Sequence, residues 1–296
     1  MSCSADLVYR EDYFNNPAGW SAIRDLLADI FGIDISPLAR FGGPPRVSMP
    51  SAYFDAAGRC VANLSAFAMP LLIDGKRVEA AGLQSGAVRP EYRGRGLFRA
   101  LTSRTLQRCD EAGFDIVVLY TDKPDLYRRH GFRTLPQHHF AGFAPQASLS
   151  VSAARPLEIS DPTDIALLRQ LLAVRTPVSD RFSVLGQAEM FLLNAHLLDS
   201  VRLHVLADGR AVIAWRDPGE DRFELLDIVG SRIPPLAEIR GALSATASKV
   251  TVHFPPDRLE WDGVPEQEAG DLVFMVRDPQ GIVPDAPFCL SPMAEF

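Results

Sequence analysis

Paired cysteines are missing from this chain, and with them the usual signs of a disulfide scaffold or a zinc site. The four cysteines among its 296 residues, Cys3, Cys60, Cys109 and Cys289, stand far apart and without paired spacing, so they read as free or buried thiols. Histidines are few, and the only adjacent pair, His138 and His139, would point to opposite faces of a strand, so no metal is assigned. No basic-then-apolar leader opens the sequence and no uninterrupted apolar run is long enough for a bilayer. That argues against a membrane partner and makes the cytoplasm the expected location. Positive charge is in deficit: 30 lysines and arginines face 37 acidic residues, a net charge of −7. The balance argues against nucleic acid and suits a cationic substrate. With 47% hydrophobic residues, one or two folded domains with ample core are expected.

Against that background, residues 88–98, Val-Arg-Pro-Glu-Tyr-Arg-Gly-Arg-Gly-Leu-Phe, are basic and punctuated by glycine. An apolar run ends at Gly86, Ala87 and Val88, Pro90 breaks it, and Gly94 and Gly96 let the backbone approach a ligand where a Cβ would collide. Residues 97–112 then read as a helix with Leu97, Ala100, Leu101, Leu106 and Cys109 near one face. A helix that starts at such a turn directs unpaired N–H groups and its positive dipole end at the loop, a place for a pyrophosphate without a metal. Arg93, Arg95 and Arg99 add charge around it, and Leu97 and Phe98 open the helix.

After the apolar run Ile116 to Tyr120 comes Asp-Leu-Tyr-Arg-Arg-His-Gly-Phe, residues 125–132. Together the two segments resemble the GCN5-related N-acetyltransferase (GNAT) superfamily. There an Arg-x-x-Gly-x-Gly/Ala turn binds the coenzyme A pyrophosphate, and a later Tyr-x-x-x-Gly-Phe carries the catalytic tyrosine. Arg93, Gly96 and Phe98 stand at the first motif, and Tyr127, Gly131 and Phe132 at the second. Phe98 departs from the pattern, since Gly or Ala is usual beside the phosphates. In its context, Arg95-Gly96-Leu97-Phe98-Arg99-Ala100, it resembles the enhanced intracellular survival branch of the superfamily, whose members acetylate amines on cationic small molecules and proteins. That branch usually carries an acetyltransferase domain, a degenerate second copy and a sterol-carrier-like domain, and this chain is expected to lack the third.

The remaining pattern is read with that resemblance beside it. Asn16 and Pro17 open a helix with Trp20, Ile23, Leu26, Leu27, Ile30 and Phe31 on its apolar face. Strands are expected at 51–55, 60–72 and 76–88, then helix 97–112, strand 115–120, helix 124–130 and strand 132–143. The sheet is expected to split near Val88, where the pantetheine arm would pair with the backbone. Residues 1–145 form the expected GNAT catalytic domain, 146–156 a linker, and 157–296 a degenerate GNAT-like domain. The fold class is therefore α+β (or α/β): tandem mixed-sheet domains, the second without the chemistry. Its counterpart of the glycine turn, Gly230-Ser231-Arg232-Ile233-Pro234-Pro235, lacks amide donors at two prolines.

The resemblance implies acetyl-CoA as acetyl donor, an aminoglycoside, polyamine or lysine amine as acceptor, Tyr127 as general acid, and self-association. Gly86, Ala87 and Val88 with Arg93 through Arg99 are the expected cofactor-binding residues, and Phe31 and Phe41 the expected substrate walls. No base is obvious on the cofactor strand, which has Gln84 and Ser85 near its end. In the survival branch the carboxylate of a terminal phenylalanine serves, so that of Phe296 is the expected base, with Glu295 or a water chain as the fallback. An acetyl-CoA-binding sensor that has lost turnover is the alternative.

Overall fold

In the computed structural model, residues 7–44, 47–148 and 151–296 are described; Cys3, Pro45 and part of the expected linker lie outside them. Strand β1 (Val8–Glu11) precedes helix α1 (Pro17–Phe31), whose N-cap Asn16 accepts a hydrogen bond from the Ala18 amide at 2.9 Å. Proline at the first helical position and Gly32, with φ 68° at the C-cap, fix its ends. Gly19, Ala22, Ile23, Leu26 and Leu27 form its buried stripe, at the three- and four-residue spacing of one helix face. Next come β2 (Ser48–Phe54), β3 (Cys60–Ala68), β4 (Leu71–Ile73), β5 (Lys76–Val78) and β6 (Ala80–Val88). They are followed by α2 (Leu97–Glu111), β7 (Ile116–Thr121), α3 (Asp125–Arg128), β8 (Arg133–Leu135) and β9 (His138–Phe143). The single strand expected over 132–143 is thus two strands, parted at Pro136, which has no amide to donate.

The rest of the chain supplies β10 (Arg155–Pro156), α4 (Pro162–Ala173), β11 (Phe182–Val184), α5 (Ala188–Leu197), β12 (Arg202–Val205) and β13 (Ala211–Gly219). Then follow β14 (Arg222–Gly230), α6 (Leu236–Ala242), β15 (Lys249–Val252), β16 (Val264–Gln267) and β17 (Val273–Arg277). Two seven-stranded sheets result, ordered β1-β2-β3-β6-β7-β17-β8 and β10-β12-β13-β14-β15-β9-β16. Their plans match. Each has an antiparallel meander, one parallel pair joined through a helix (β6 with β7, β14 with β15), one inserted antiparallel strand and an edge strand. The inserted strand is exchanged: β17 sits between β7 and β8, while β9 sits between β15 and β16. The sheets therefore do not follow a boundary near residue 145.

Two further elements tie the sheets together. β11 pairs with β4 in a small third sheet, β11-β4-β5. Helix α5 is apolar nearly all round, as a helix between layers must be. Met190 enters the core with Phe67 and Phe274, Leu193 packs with Ile23 and Leu26 of α1, and Phe191 and Leu192 face the second sheet. On the opposite face of the first sheet, α2 buries Leu101, Leu106 and Cys109 against Ala62, Leu64 and Val117. Cys60, Cys109 and Cys289 are free and buried, and among the described residues no cluster of ligating side chains could hold a metal.

Candidate active site

The site begins with a defect in a strand. β6 pairs with β7 only from Ala80 to Gly82, so beyond Gly82 its edge toward β7 has no ladder partner among the described residues. The opening thus starts well before Val88, the position expected from sequence. The cause is a bulge: the register of β6 with β3 shifts between Asn63 and Ser65, and Ser85 takes φ 58°, which bends the strand away from its neighbour. A serine at positive φ is strained, and a buried polar chain holds it. The Tyr13 hydroxyl donates to Asn63 Oδ1 at 2.6 Å, and Asn63 Nδ2 donates to the Ser85 carbonyl at 2.8 Å.

Tyr127, on α3, points its hydroxyl at this bulge. A Cβ built on Gly86 would lie 3.3 Å from the phenol oxygen, 3.3 Å from Leu64 Cδ1 and 3.2 Å from Phe98 Cε2, so only glycine admits the phenol so close to the strand without something giving way. The tyrosine ring is 7% exposed and stands between Phe98 and Phe132, both edge-on with centroids 5.8 Å away. Phe98 is therefore a buttress of the tyrosine ring, which accounts for a bulky residue where the family pattern has a small one. Burial, then the nearby Asp122 charge, raises the phenol to about 12, so it carries its proton throughout the neutral range.

The glycine turn follows directly. Gly94 and Gly96 hold φ 77° and 76°, and a Cβ at either would meet nothing within 4 Å, so the backbone conformation and not crowding selects glycine. Gly96 is the N-cap of α2, and no side chain caps the helix, which leaves its first amides free for an anion. The Arg93 Nε donates to the Val88 carbonyl at 3.2 Å, and Arg95 donates to the Glu91 carbonyl and stacks over Tyr92; these contacts brace the turn. Arg93, Arg95 and Arg99 are exposed around it. Ala87 packs into the core under α1, and Val88 is paired with Ala62. The counterpart turn before α6 is closed on itself, since Arg232 binds Asp208 at 2.8 Å and Glu238 at 2.6 Å.

A cavity of about 450 Å³ lies between the bulge, α1, α5 and the C-terminal segment. Ser85, Gly86 and Tyr127 line it together with Phe31, Asn194 and Phe296. The ring of Phe296 seats edge-on against Phe67, 5.0 Å between centroids, and also meets Tyr120. The segment before it is docked: Met293 is fully buried and the Glu295 carbonyl accepts from Asn194 Nδ2 at 2.8 Å. Phe41 is placed elsewhere. It is fully buried in the core of α4 and α5, with Arg169 donating to its carbonyl, so it walls no cleft; its apolar turn sequence reflects packing onto the second sheet. Met190, Leu193, Asn194 and Leu197 of α5 also wall the cavity. Thr121, Asp122 and Glu295 also line it.

A bulged strand parting from its parallel partner, a glycine turn capping the next helix and a buried phenol at the bulge define the site of this mixed-sheet protein. Residues 18–135, from α1 through β8, match the family model of the acetyltransferase (GNAT) domain. Several solved structures share the fold of both sheets. A GCN5-related N-acetyltransferase from Kribbella flavida is 17% identical with a TM-score of 0.56, over 92% of this chain and 71% of that one. A probable N-acyltransferase from Enterococcus faecalis V583 is 14% identical with a TM-score of 0.60, over 94% and 73%. Eis1 from Mycobacterium abscessus is 15% identical with a TM-score of 0.59, over 91% and 73%. At these identities the likeness is one of fold. No curated protein matches the sequence. Among the described residues no helix is long and apolar enough to cross a membrane.

Proposed function

We propose that this chain transfers an acetyl group from acetyl-CoA to a primary amine of a cationic acceptor, an aminoglycoside, a polyamine or a lysine side chain, by direct attack. The observation that carries the reading is the phenol of Tyr127, held beside Gly86 at the bulge and opening on the same cavity as the unpaired strand edge. Acetyl-CoA fits the residues present. The open amides at Gly94 to Phe98 suit its pyrophosphate, and the free edge of β6 beyond Gly82 offers backbone partners to an extended pantetheine arm. It supplies the activated thioester. The protein's own task is to orient the amine and to protonate the departing sulfur, for which a buried phenol that stays neutral is suited.

The acceptor side of the reading rests on shape and charge. The cavity has the size of a small-molecule site, and Asp122 and Glu295 place carboxylates in an otherwise apolar wall of Leu27, Phe31, Leu193 and Leu197. A cation with an aliphatic or sugar frame matches that mixture. The likeness in fold to Eis1 and the Arg95 to Ala100 sequence favour the survival branch. The test is release of coenzyme A thiol from acetyl-CoA against aminoglycosides, polyamines and lysine peptides. Turnover on one class identifies the acceptor; bound acetyl-CoA with no turnover on any amine counts against acetyl transfer.

A further inference from the structure

A second cavity, of about 280 Å³, adjoins the acceptor cavity and shares Tyr120, Leu272 and Glu295 with it. Its remaining walls include Gln137, Gln267 and Glu268. Gln137 is fixed by its Oε1, which accepts from the Leu290 amide at 2.8 Å and from the Tyr120 hydroxyl at 3.3 Å. Its buried Nε2 has no protein partner among the described residues, and a buried amide donor facing a polar chamber is ordinarily satisfied by water. Glu295 is the partition between the two spaces. Its carboxylate makes no hydrogen bond or ion pair among the described residues, and its side chain is exposed to water while lining both cavities.

Beyond Glu295 the chamber leads to a row of ionisable groups. Glu268 Oε1 lies 3.4 Å from His253 Nδ1 and 3.9 Å from His139 Nδ1, and His139 Nε2 lies 3.4 Å from Glu266 Oε2. The Glu266 side chain is 60% exposed, so the row ends in solvent. His253 is anchored from the other side by Glu224, which also binds Arg216. Burial, then the Glu268 charge, raises Glu295 to about 7, against the opposing pull of His253 and Arg216. Tyr120 and Cys289 also face it, and Asp122 and Tyr127 share its cavity.

Acetylating an ammonium releases a proton for which such a row is an outlet. The nitrogen gives up one proton before it attacks; the new N–C bond forms and the C–S bond breaks. Tyr127 protonates the sulfur and is reprotonated from the same nitrogen. One proton per turnover is left over in the cavity. We infer that Glu295 takes that proton, and that Glu268 and His139 pass it through the second cavity to Glu266 at the surface. Glu295 touches the acceptor space and acts as base; Glu268 and His139 act through it.

The inference rests on the acetyl-transfer reading, and two readouts on the full chain keep the two apart. An infrared titration of carboxyl groups needs no acceptor. It should show one carboxyl titrating at about 7 that is absent from Glu295→Gln and moves to lower pH in Glu268→Gln, where a neighbouring negative charge is gone. A near-neutral carboxyl that persists in the first variant, or is unmoved in the second, overturns the coupling. In turnover, measured with kanamycin, spermidine and a lysine peptide, Glu295→Gln should lower kcat on the order of a hundredfold with KM little changed, and the fall in rate below neutral pH should vanish. His139→Ala should slow turnover and recover with added imidazole, which a merely structural residue would not do. Full kcat in Glu295→Gln, or no response of His139→Ala to imidazole, overturns the relay. A wild-type chain that acetylates none of the three amines counts against acetyl transfer, and the infrared titration still decides the coupling.

Discussion

Replacing Tyr127 with phenylalanine separates chemistry from architecture at this site. The ring is held edge-on by Phe98 and Phe132, contacts that phenylalanine keeps, and the hydroxyl makes no hydrogen bond among the described residues. Stability at neutral pH should therefore stay within about 0.5 kcal/mol of wild type. Loss of a positioned general acid costs about 10²- to 10⁴-fold in rate, which is roughly 3 to 5 kcal/mol of barrier. Thiol release under saturating acetyl-CoA, read beside thermal unfolding and acetyl-CoA affinity, should show kcat collapsing while the other two hold. The phenol also carries a signature in alkaline stability. Burial raises it in the folded state to about 12, against an unfolded value of about 10. The stabilisation is complete below the unfolded value and is lost as pH rises from about 10 through about 12. Wild type should lose up to roughly 3 kcal/mol over that span relative to the variant, which has nothing to ionise there. An unchanged kcat in Tyr127→Phe, or a loss of activity that merely tracks a loss of stability, would refute the acid role.

Three further outcomes follow from the site and its supports. Gly96→Val forces a β-branched residue to φ 76° at an otherwise open N-cap. Isothermal titration should find acetyl-CoA affinity reduced at least tenfold, at a stability cost of about 1 to 3 kcal/mol. Asn63→Leu removes the side chain that bonds both Tyr13 and the Ser85 carbonyl; urea unfolding should register a loss of about 2 to 4 kcal/mol, and kcat should fall because the bulge under Tyr127 loosens. Burial works against the charge of Glu224, yet His253 and Arg216 outweigh it and lower its carboxyl to about 2. Its contribution is present above an unfolded value of about 4.5 and is lost as pH falls through about 2, so Glu224→Gln should lower stability at pH 7 by roughly 3 kcal/mol and flatten the acid limb of the stability profile.

Local signals in the sequence carried over well into the structure where they rest on backbone chemistry. Asn16 and Pro17 mark the start of α1 because a side-chain acceptor and a missing amide act within one turn, and Gly94 and Gly96 mark their turn because it needs positive φ. What stayed hidden depends on partners far along the chain. Val273–Arg277 is a short apolar run that any sheet could accept, and nothing within it says that it belongs between β7 and β8. The widening of the first sheet was misplaced toward Val88, since a bulge at Ser85 is set by register with β3. Phe41 looked like a cleft wall because apolar residues in a glycine-proline turn fit either a ligand or a core, and only the position of α4 decides. His138 and His139 read as unrelated to any site, and the acids that meet His139 lie more than a hundred residues away in sequence.

The strand exchange sets an order on the birth of the molecule. As the chain emerges from a ribosome, β7 and β8 are complete long before residues 273–277, so the first sheet waits with a gap at its middle. During that wait β7 shows an unsatisfied edge, of the kind that invites pairing with a stranger. β9 waits likewise, for β15 and β16 to be made. The second sheet has its last strand by Gln267, before β17 of the first is made, and the wall that carries Glu295 and Phe296 follows both. The cavity thus gains this wall only after the strands of both sheets are made, so a product stalled before Glu295 has the bulge and the glycine turn in place and its pocket still open.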